Sequence, residues 1–326
     1  MVDVGFVELS APGVETVHFE GGSGSPPVMF LLKAGVEGWF ETPDLVTGTT
    51  ARGAGDGLHD IPVQDIRYGS RTVILHFAVW GRDRYETLGL WDRVRRMVAH
   101  RLVTVRVVDS DHDLTCTGMA SLDKPDGTWD REWVEGTINV MCARPELLSH
   151  TAHSFPLLAS HAVDGATGVG LSYNQLGYVT YWQGTPDASP SVMEIGTNRG
   201  RFGLAYPLSY SGSNDTANVA SQSAGLLRNE GTSRAYPVFT CNGPFPNGVA
   251  LDFPSLNASI EGTQPVYGVP LVLDCRARSA TVGGLDVSRR LAARGFPVVE
   301  PGGTLSVVLR TGGTGWVDCA IHDTYM

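Results

Sequence analysis

Apolar and polar positions alternate with a period of two along most of this chain, and with the helical period over one stretch only. RTVILHFAVW, Arg71 to Trp80, reads as the strongest strand. Val73, Leu75, Phe77 and Val79 share one face; Thr72, Ile74, His76, Ala78 and Trp80 share the other, so both faces are expected to be partly covered. His76 is read as a packed strand residue. The pattern then changes: Leu88, Trp91, Val94, Met97 and Val98 fall at helical spacing, with Arg93, Arg95 and Arg96 on the open side. Asp83 is placed to cap this helix, and Glu86 three residues later completes a variant of the capping box. RLVTVRVVD and DLTCTGMAS predict a hairpin turning at Ser110, Asp111 and His112, and a further strand starts near Glu132.

The stretch from Ala51 to Asp109 is therefore a helical island in a β chain, and the fold class expected is mainly β. Upstream, Val28 to Ala34 suits a buried strand after the loop Gly21 to Pro27. Residues 35–50 show no clear period. Ala143 to His161 predicts a connecting segment. Beyond it short strands recur between Gly- and Pro-rich turns, the pattern of a β-sandwich. Val282 and Leu285 bracket Gly283-Gly284, a loop suited to primed hairpin turns. The tract Ser211 to Gly231 is poor in apolar residues and is expected to be an extended surface segment. The domains predicted are 1–145, a connecting segment 146–165, and 166–326.

Composition narrows the functions. A chain of 326 residues is comfortable for two β domains. Its 40 glycines, 19 prolines and 18% charged residues suit short strands and turns. The net charge of −10 argues against holding nucleic acid by its phosphates. No basic segment followed by an apolar core opens the chain, and no apolar run is long enough for a membrane helix, so a soluble protein made in a cytoplasm is expected. The five cysteines are scattered and read as buried thiols.

Candidate chemistry fails its own tests. The glycine loop Arg52 to Gly57 lacks the Lys-Ser/Thr of a phosphate cradle and opens no helix, so a tight turn is the simpler reading. Asp109, Asp111 and Asp113 imitate the start of a calcium loop, but Leu114 and Ala120 stand where glycine and glutamate are needed. His150, His153 and His161 lack fixed spacing and acidic partners. No nucleophile elbow, zinc helix or dinucleotide fingerprint appears. Catalytic residues, metals and cofactors are accordingly expected to be none. The best binding candidate is aromatic: Tyr178, Tyr181 and Trp182, with Tyr173 nearby, could stack on sugar rings. That keeps a carbohydrate-binding attachment protein as the alternative reading.

The order of features resembles the distal tail proteins of long-tailed (siphovirus-type) bacteriophages, the minor tail proteins of the actinobacteriophage type. The resemblance spans nearly the whole chain. It rests on RGAGDG, WGRDRYETLGLWDRVRRMV and INVMCARPELLS in the first half. In the second it rests on GLAYPLSY, NEGTSRAYPVFTCNGP, LVLDCRARSATVGG and FPVVEPGGTLSVVLR. What it implies is an N-terminal belt domain closing into a homohexameric ring at the tail tip, and a C-terminal galectin-like β-sandwich. The implied partners are other copies, the tail tube protein, the tape measure protein, the tail hub protein and the receptor-binding parts. DNA would pass through the lumen without sequence-specific binding, and no membrane would be entered. The implied location is the virion. The chain has no clear insertion long enough for a full carbohydrate-binding module, which favours a scaffold role. Arg52, Asp56, Arg82, Arg93 and Arg96 are the candidate subunit contacts.

Overall fold

The computed structural model describes residues 4–22, 24–48, 50–53, 56–57, 59–62, 65–124, 133–159, 223–312 and 314–326, and residues 179–185 and 188–195 as strands only. The fold is mainly β with one α-helix among the described residues. Two compact units divide the chain: Met1–His150 with Tyr325–Met326, and Thr151–Thr324.

The first unit contains β1 (Val4–Ser10), β2 (Val17–Glu20), β3 (Val28–Glu37), β4 (Arg71–Trp80), α1 (Arg84–Val98), β5 (Leu102–Asp109), β6 (Asp113–Leu122), β7 (Trp133–Cys142) and β8 (Leu147–Ser149). The strand order β6-β5-β1-β2-β3-β4-β7 is closed by a further pairing of β6 with β7, so β1 to β7 form a barrel without free edges. At the closing seam a β-carbon on Gly118 would lie 2.4 Å from the carbonyl oxygen of Met141. Glycine is what lets the strands meet there. Alternation fills the interior: Val73, Leu75, Phe77 and Val79 of β4 are fully buried, as are Val103 and Val105 of β5 and Ile138 and Val140 of β7. Each such side chain removed from water contributes ~1.5–3 kcal/mol before the entropy of ordering is counted.

Helix α1 adds its apolar face to this core. Trp91, Val94 and Met97 are buried, and Trp91 stacks on Phe77 with ring centroids 5.6 Å apart. The expected face is turned slightly: Thr87 is buried, whereas Leu88 is partly exposed. Thr87 is drawn in because its hydroxyl accepts from the Gly81 amide and donates to the Asp83 carbonyl. Asp83 accepts from the Glu86 amide at 2.8 Å, as a cap should. Glu86 returns the contact to the amide of Arg82, one residue before the cap. No helix among the described residues is long and apolar enough to cross a membrane.

The second unit holds β9 (His153–Leu158), β10 (Val179–Thr185), β11 (Ala188–Ile195), β12 (Ala224–Arg228), β13 (Val238–Asn242), β14 (Val249–Phe253), β15 (Ala258–Gly262), β16 (Leu271–Asp274), β17 (Ser279–Val282), β18 (Leu285–Asp286), β19 (Leu291–Arg294), β20 (Thr304–Leu309) and β21 (Trp316–Ile321). One sheet runs β11-β10-β12-β20-β14-β15-β19 and the other β18-β17-β16-β13-β21-β9. Their inner faces share one core, with Phe239 of one sheet 5.6 Å from Phe253 of the other. This is a two-sheet sandwich. Gly283 and Gly284 both have positive φ and join the pair Val282 and Leu285, the type I′ hairpin expected.

Two expectations are corrected here. Residues 147–158, expected to connect without regular structure, carry β8 and β9. The described end of the tract Ser211 to Gly231 is interior, not surface: β12 lies between β10 and β20, with Ala224 and Leu227 buried. The small residues that made it look like coil are required there. A β-carbon on Gly225 would lie 2.2 Å from the ring of Phe155.

Candidate functional site

A long excursion from Gly38 to Ser70 separates β3 from β4 in the first unit. Every described residue from Phe40 to Arg67 is exposed except Pro43 and Thr47, which are half-buried. It is nevertheless ordered by its own hydrogen bonds. Leu45 and Tyr68 form an antiparallel bridge. Val46 donates to Arg67, Gly69 to Asp44, His59 to Thr50 and Arg52 to Gly57. The Thr47 hydroxyl accepts from the Arg67 amide at 2.8 Å. The segment is an irregular hairpin arm, and the bond from Arg52 to Gly57 is its outermost described pairing.

One residue secures its root. Arg71, the first residue of β4, is 2% exposed, and its guanidinium spans carbonyl oxygens from separate stretches. Nη1 donates to Gly38, Trp39 and Glu41 at 2.6, 3.1 and 2.7 Å, and Nε donates to Pro145 at 2.7 Å. Burial pulls its pKa down, against the opposing pull of nearby Cys116, Cys142, Glu146 and Glu41. The Cys116 and Cys142 thiols beside it lie 3.3 Å apart across β6 and β7. Their 26-residue separation hid the pair from any spacing rule.

Several apolar side chains have nothing over them. On the arm, Phe40, Leu45 and Val46 are 51%, 65% and 63% exposed. Large apolar side chains left uncovered on one exposed segment suit a surface for a partner.

The predicted subunit contacts divide between arm and helix. Arg52 and Asp56 lie at the arm's tip, both exposed; Arg52 pairs with Asp60 at 3.0 Å. Arg93 is half-buried and pairs with Glu15 at 2.7 Å, so it is not on the open side as expected. Arg96 pairs with Asp92 one turn earlier, and Arg82 donates to the Pro26 carbonyl. Exposed pairs of this kind contribute ~0–1 kcal/mol and separate readily for a better partner.

The aspartates of the β5–β6 turn have work within the fold. Asp109 accepts from the amides of Asp111 and His112, closing the turn, and Asp113 takes a bidentate contact from Arg106 at 2.8 and 2.7 Å. Among the described residues no group of three His, Cys, Asp or Glu is placed to hold a metal ion.

In the second unit a buried polar hub stands out. Asn229 has no exposed surface; its amide donates to Ser233, Val299 and Glu300, and its oxygen accepts from Gly231 and Thr324. Next to it Asp323 contacts His153 at 2.8 Å and accepts from the Glu230 amide at 2.6 Å. His153 therefore does have an acidic partner, contrary to the sequence reading, because that partner is 170 residues away. Burial works to raise the Asp323 pKa, but the contacts from His153 and Glu230 prevail and hold it below the usual carboxylate range. Tyr178, His161 and GLAYPLSY lie outside the described residues, as do the side chains of Tyr181 and Trp182, which sit on β10.

No protein-family model matches the chain, and no curated protein matches it. Solved structures do. The Dit protein of phage SPP1, described as a paradigm of the hub adsorption apparatus in phages infecting Gram-positive bacteria, is similar over 91% of this chain and 94% of its own, with a TM-score of 0.51 and 10% identity. A chain of the phage p2 baseplate in its activated conformation with Sr is similar over 97% of each, with a TM-score of 0.51 and 9% identity. Identities this low establish the fold alone, and that fold is the one expected of the distal tail proteins.

Proposed function

We propose that this chain is a structural protein of the bacteriophage tail tip, whose copies close into a hexameric ring between the tail tube and the hub with its host-recognition parts. The observation that carries this reading is the shared fold over almost the whole chain, including both units. The first unit is the belt domain, and the second is the galectin-like sandwich. The boundary between them falls at His150 and Thr151, inside the stretch 146–165 expected to connect the domains.

The exposed arm supports the reading independently. A ring requires heterologous contacts, in which one surface meets a different surface of the next copy. An ordered hairpin with uncovered apolar side chains and a charged tip suits the projecting half of such a contact. Arg52 and Asp56 at the tip, and Arg82, Arg93 and Arg96 around the helix, are the proposed polar contacts. The tube, tape measure and hub proteins are the other partners, and the work is assembly rather than catalysis. With a net charge of −10, the loops lining the lumen are expected to be acidic or neutral and to let DNA slide.

The test is the mass of the purified full chain by light scattering and native mass spectrometry across concentration. Six copies are expected. A chain that stays monomeric or stops at a dimer would overturn the ring.

A further inference from the structure

A second uncovered surface lies on the barrel wall. The register places Leu102 of β5 opposite Met119 of β6, Met119 opposite Met141 of β7, and Met141 opposite Thr72 of β4. Directly opposed residues point to the same side of a sheet, so these side chains form one row across four strands. Their neighbours along the strands, Val103, Val73 and Val140, point inward and are fully buried, which sets the row outside. Leu102, Met119 and Met141 are 59%, 55% and 48% exposed. The adjacent outward positions Thr104 and Thr117 are uncharged and bonded to each other at 2.9 Å. Three large apolar side chains side by side, with no charge among them, are unusual on the wall of so acidic a chain.

We propose that this row is the seat for the arm of a second copy, with Leu45 and Val46 lying across Leu102, Met119 and Met141. The inference rests on the ring reading above and names the two surfaces that meet. Both are apolar and uncharged at their centres, so they join without setting like charges together in a chain of net charge −10. The chain's own arm does not fill the row: it enters β4 just before Thr72, at the row's end, yet Leu45 and Val46 remain exposed. Met119 and Met141 have flexible side chains that fit an irregular hairpin better than branched ones would. Because arm and row are different surfaces, each added copy presents a new arm and a new row, and the series ends only by closing.

The test places a photoreactive benzoylphenylalanine at Leu45 in the full chain and irradiates a mixture of unlabelled and nitrogen-15-labelled protein. Mass spectrometry then maps the cross-links, and the mass of the assembly is measured on the same sample. Mixed-isotope cross-links from position 45 to Met119 or Met141 in a six-copy assembly are expected. A six-copy assembly cross-linked elsewhere would overturn the seat and leave the ring standing. A chain monomeric at every concentration would overturn both. As a second arm, M119E with M141E should weaken association at least tenfold while leaving the thermal unfolding of the monomer nearly unchanged; undiminished association would overturn the seat.

Discussion

The indole of Trp91 and the backbone of Gly136 occupy space that only a glycine can share: a β-carbon at position 136 would lie 2.5 Å from the ring. Phe77, directly opposite Gly136 on the neighbouring strand, completes the contact by stacking on Trp91. Helix α1 thereby comes close to the barrel at Gly136. Gly136→Ala is expected to destabilise the first unit by ~1–3 kcal/mol through overpacking. Trp91→Leu in the same chain should recover part of that loss. Urea unfolding of the two single variants and the double variant measures the coupling. Additive losses would show that the indole and position 136 do not compete.

Arg71 leads to a second expectation. Its guanidinium gathers the carbonyls of Gly38, Trp39, Glu41 and Pro145 at the arm's root, so Arg71→Ala removes four hydrogen bonds at once. A loss of about 3–5 kcal/mol is expected, as for breaking a buried charged network. Arg71→Lys should recover little, since one ammonium cannot reach both Gly38 and Pro145 in the geometry of the fork. Hydrogen exchange separates root from barrel: the amides of Val46 and Gly69 should exchange much faster in Arg71→Lys, while those of β5 and β6 change little. Equal acceleration everywhere would mean that Arg71 supports the barrel as a whole.

The barrel strands and the helix were legible because their burial follows one period. β4 was read over its full span, and the capping pair Asp83 and Glu86 marked where α1 begins. The arm was not legible. Its two sides are joined by one isolated bridge and a few hydrogen bonds, and its described residues bury no face, so no alternation is imposed on them. Arg71 looked like an ordinary strand opener because its acceptors lie 30 to 33 residues before it and 74 after. The row of Leu102, Met119 and Met141 sat at the outward positions of predicted strands, but only the register shows that they adjoin. β12 failed for the opposite reason: its interior place demands small residues, and small residues next to polar ones read as coil.

Asn229 yields a third expectation. It joins the end of β12 to residues 299–300 and to Thr324 through both ends of one amide. Asn229→Ala should cost about 2–4 kcal/mol, since the buried carbonyls and amides it serves lose their partner without gaining water. Asn229→Asp should cost more at neutral pH, because it sets a carboxylate oxygen against the carbonyls of Ser233, Val299 and Glu300. Thermal unfolding of both variants at pH 7 orders them. An aspartate variant as stable as the parent would mean that water reaches the hub.

The adjoining pair of His153 and Asp323 predicts how the second unit responds to acid. The Asp323 carboxyl is held below its ordinary pKa in the folded chain, so on acidification the unfolded chain takes up that proton first. Its contribution is therefore complete above the unfolded value of roughly 3.9 and is lost as pH falls through the lower folded value. Asp323→Asn keeps the size of the side chain and one acceptor for the Glu230 amide but removes the charge. The parent should exceed this variant by about 1–3 kcal/mol at pH 5, and the gap should shrink at pH 3 as the carboxylate loses its advantage. Urea midpoints of both proteins at the two pH values provide the comparison. A gap that widens at pH 3 would require a pKa raised by burial and would show that His153 and Glu230 do not outweigh the loss of water around Asp323.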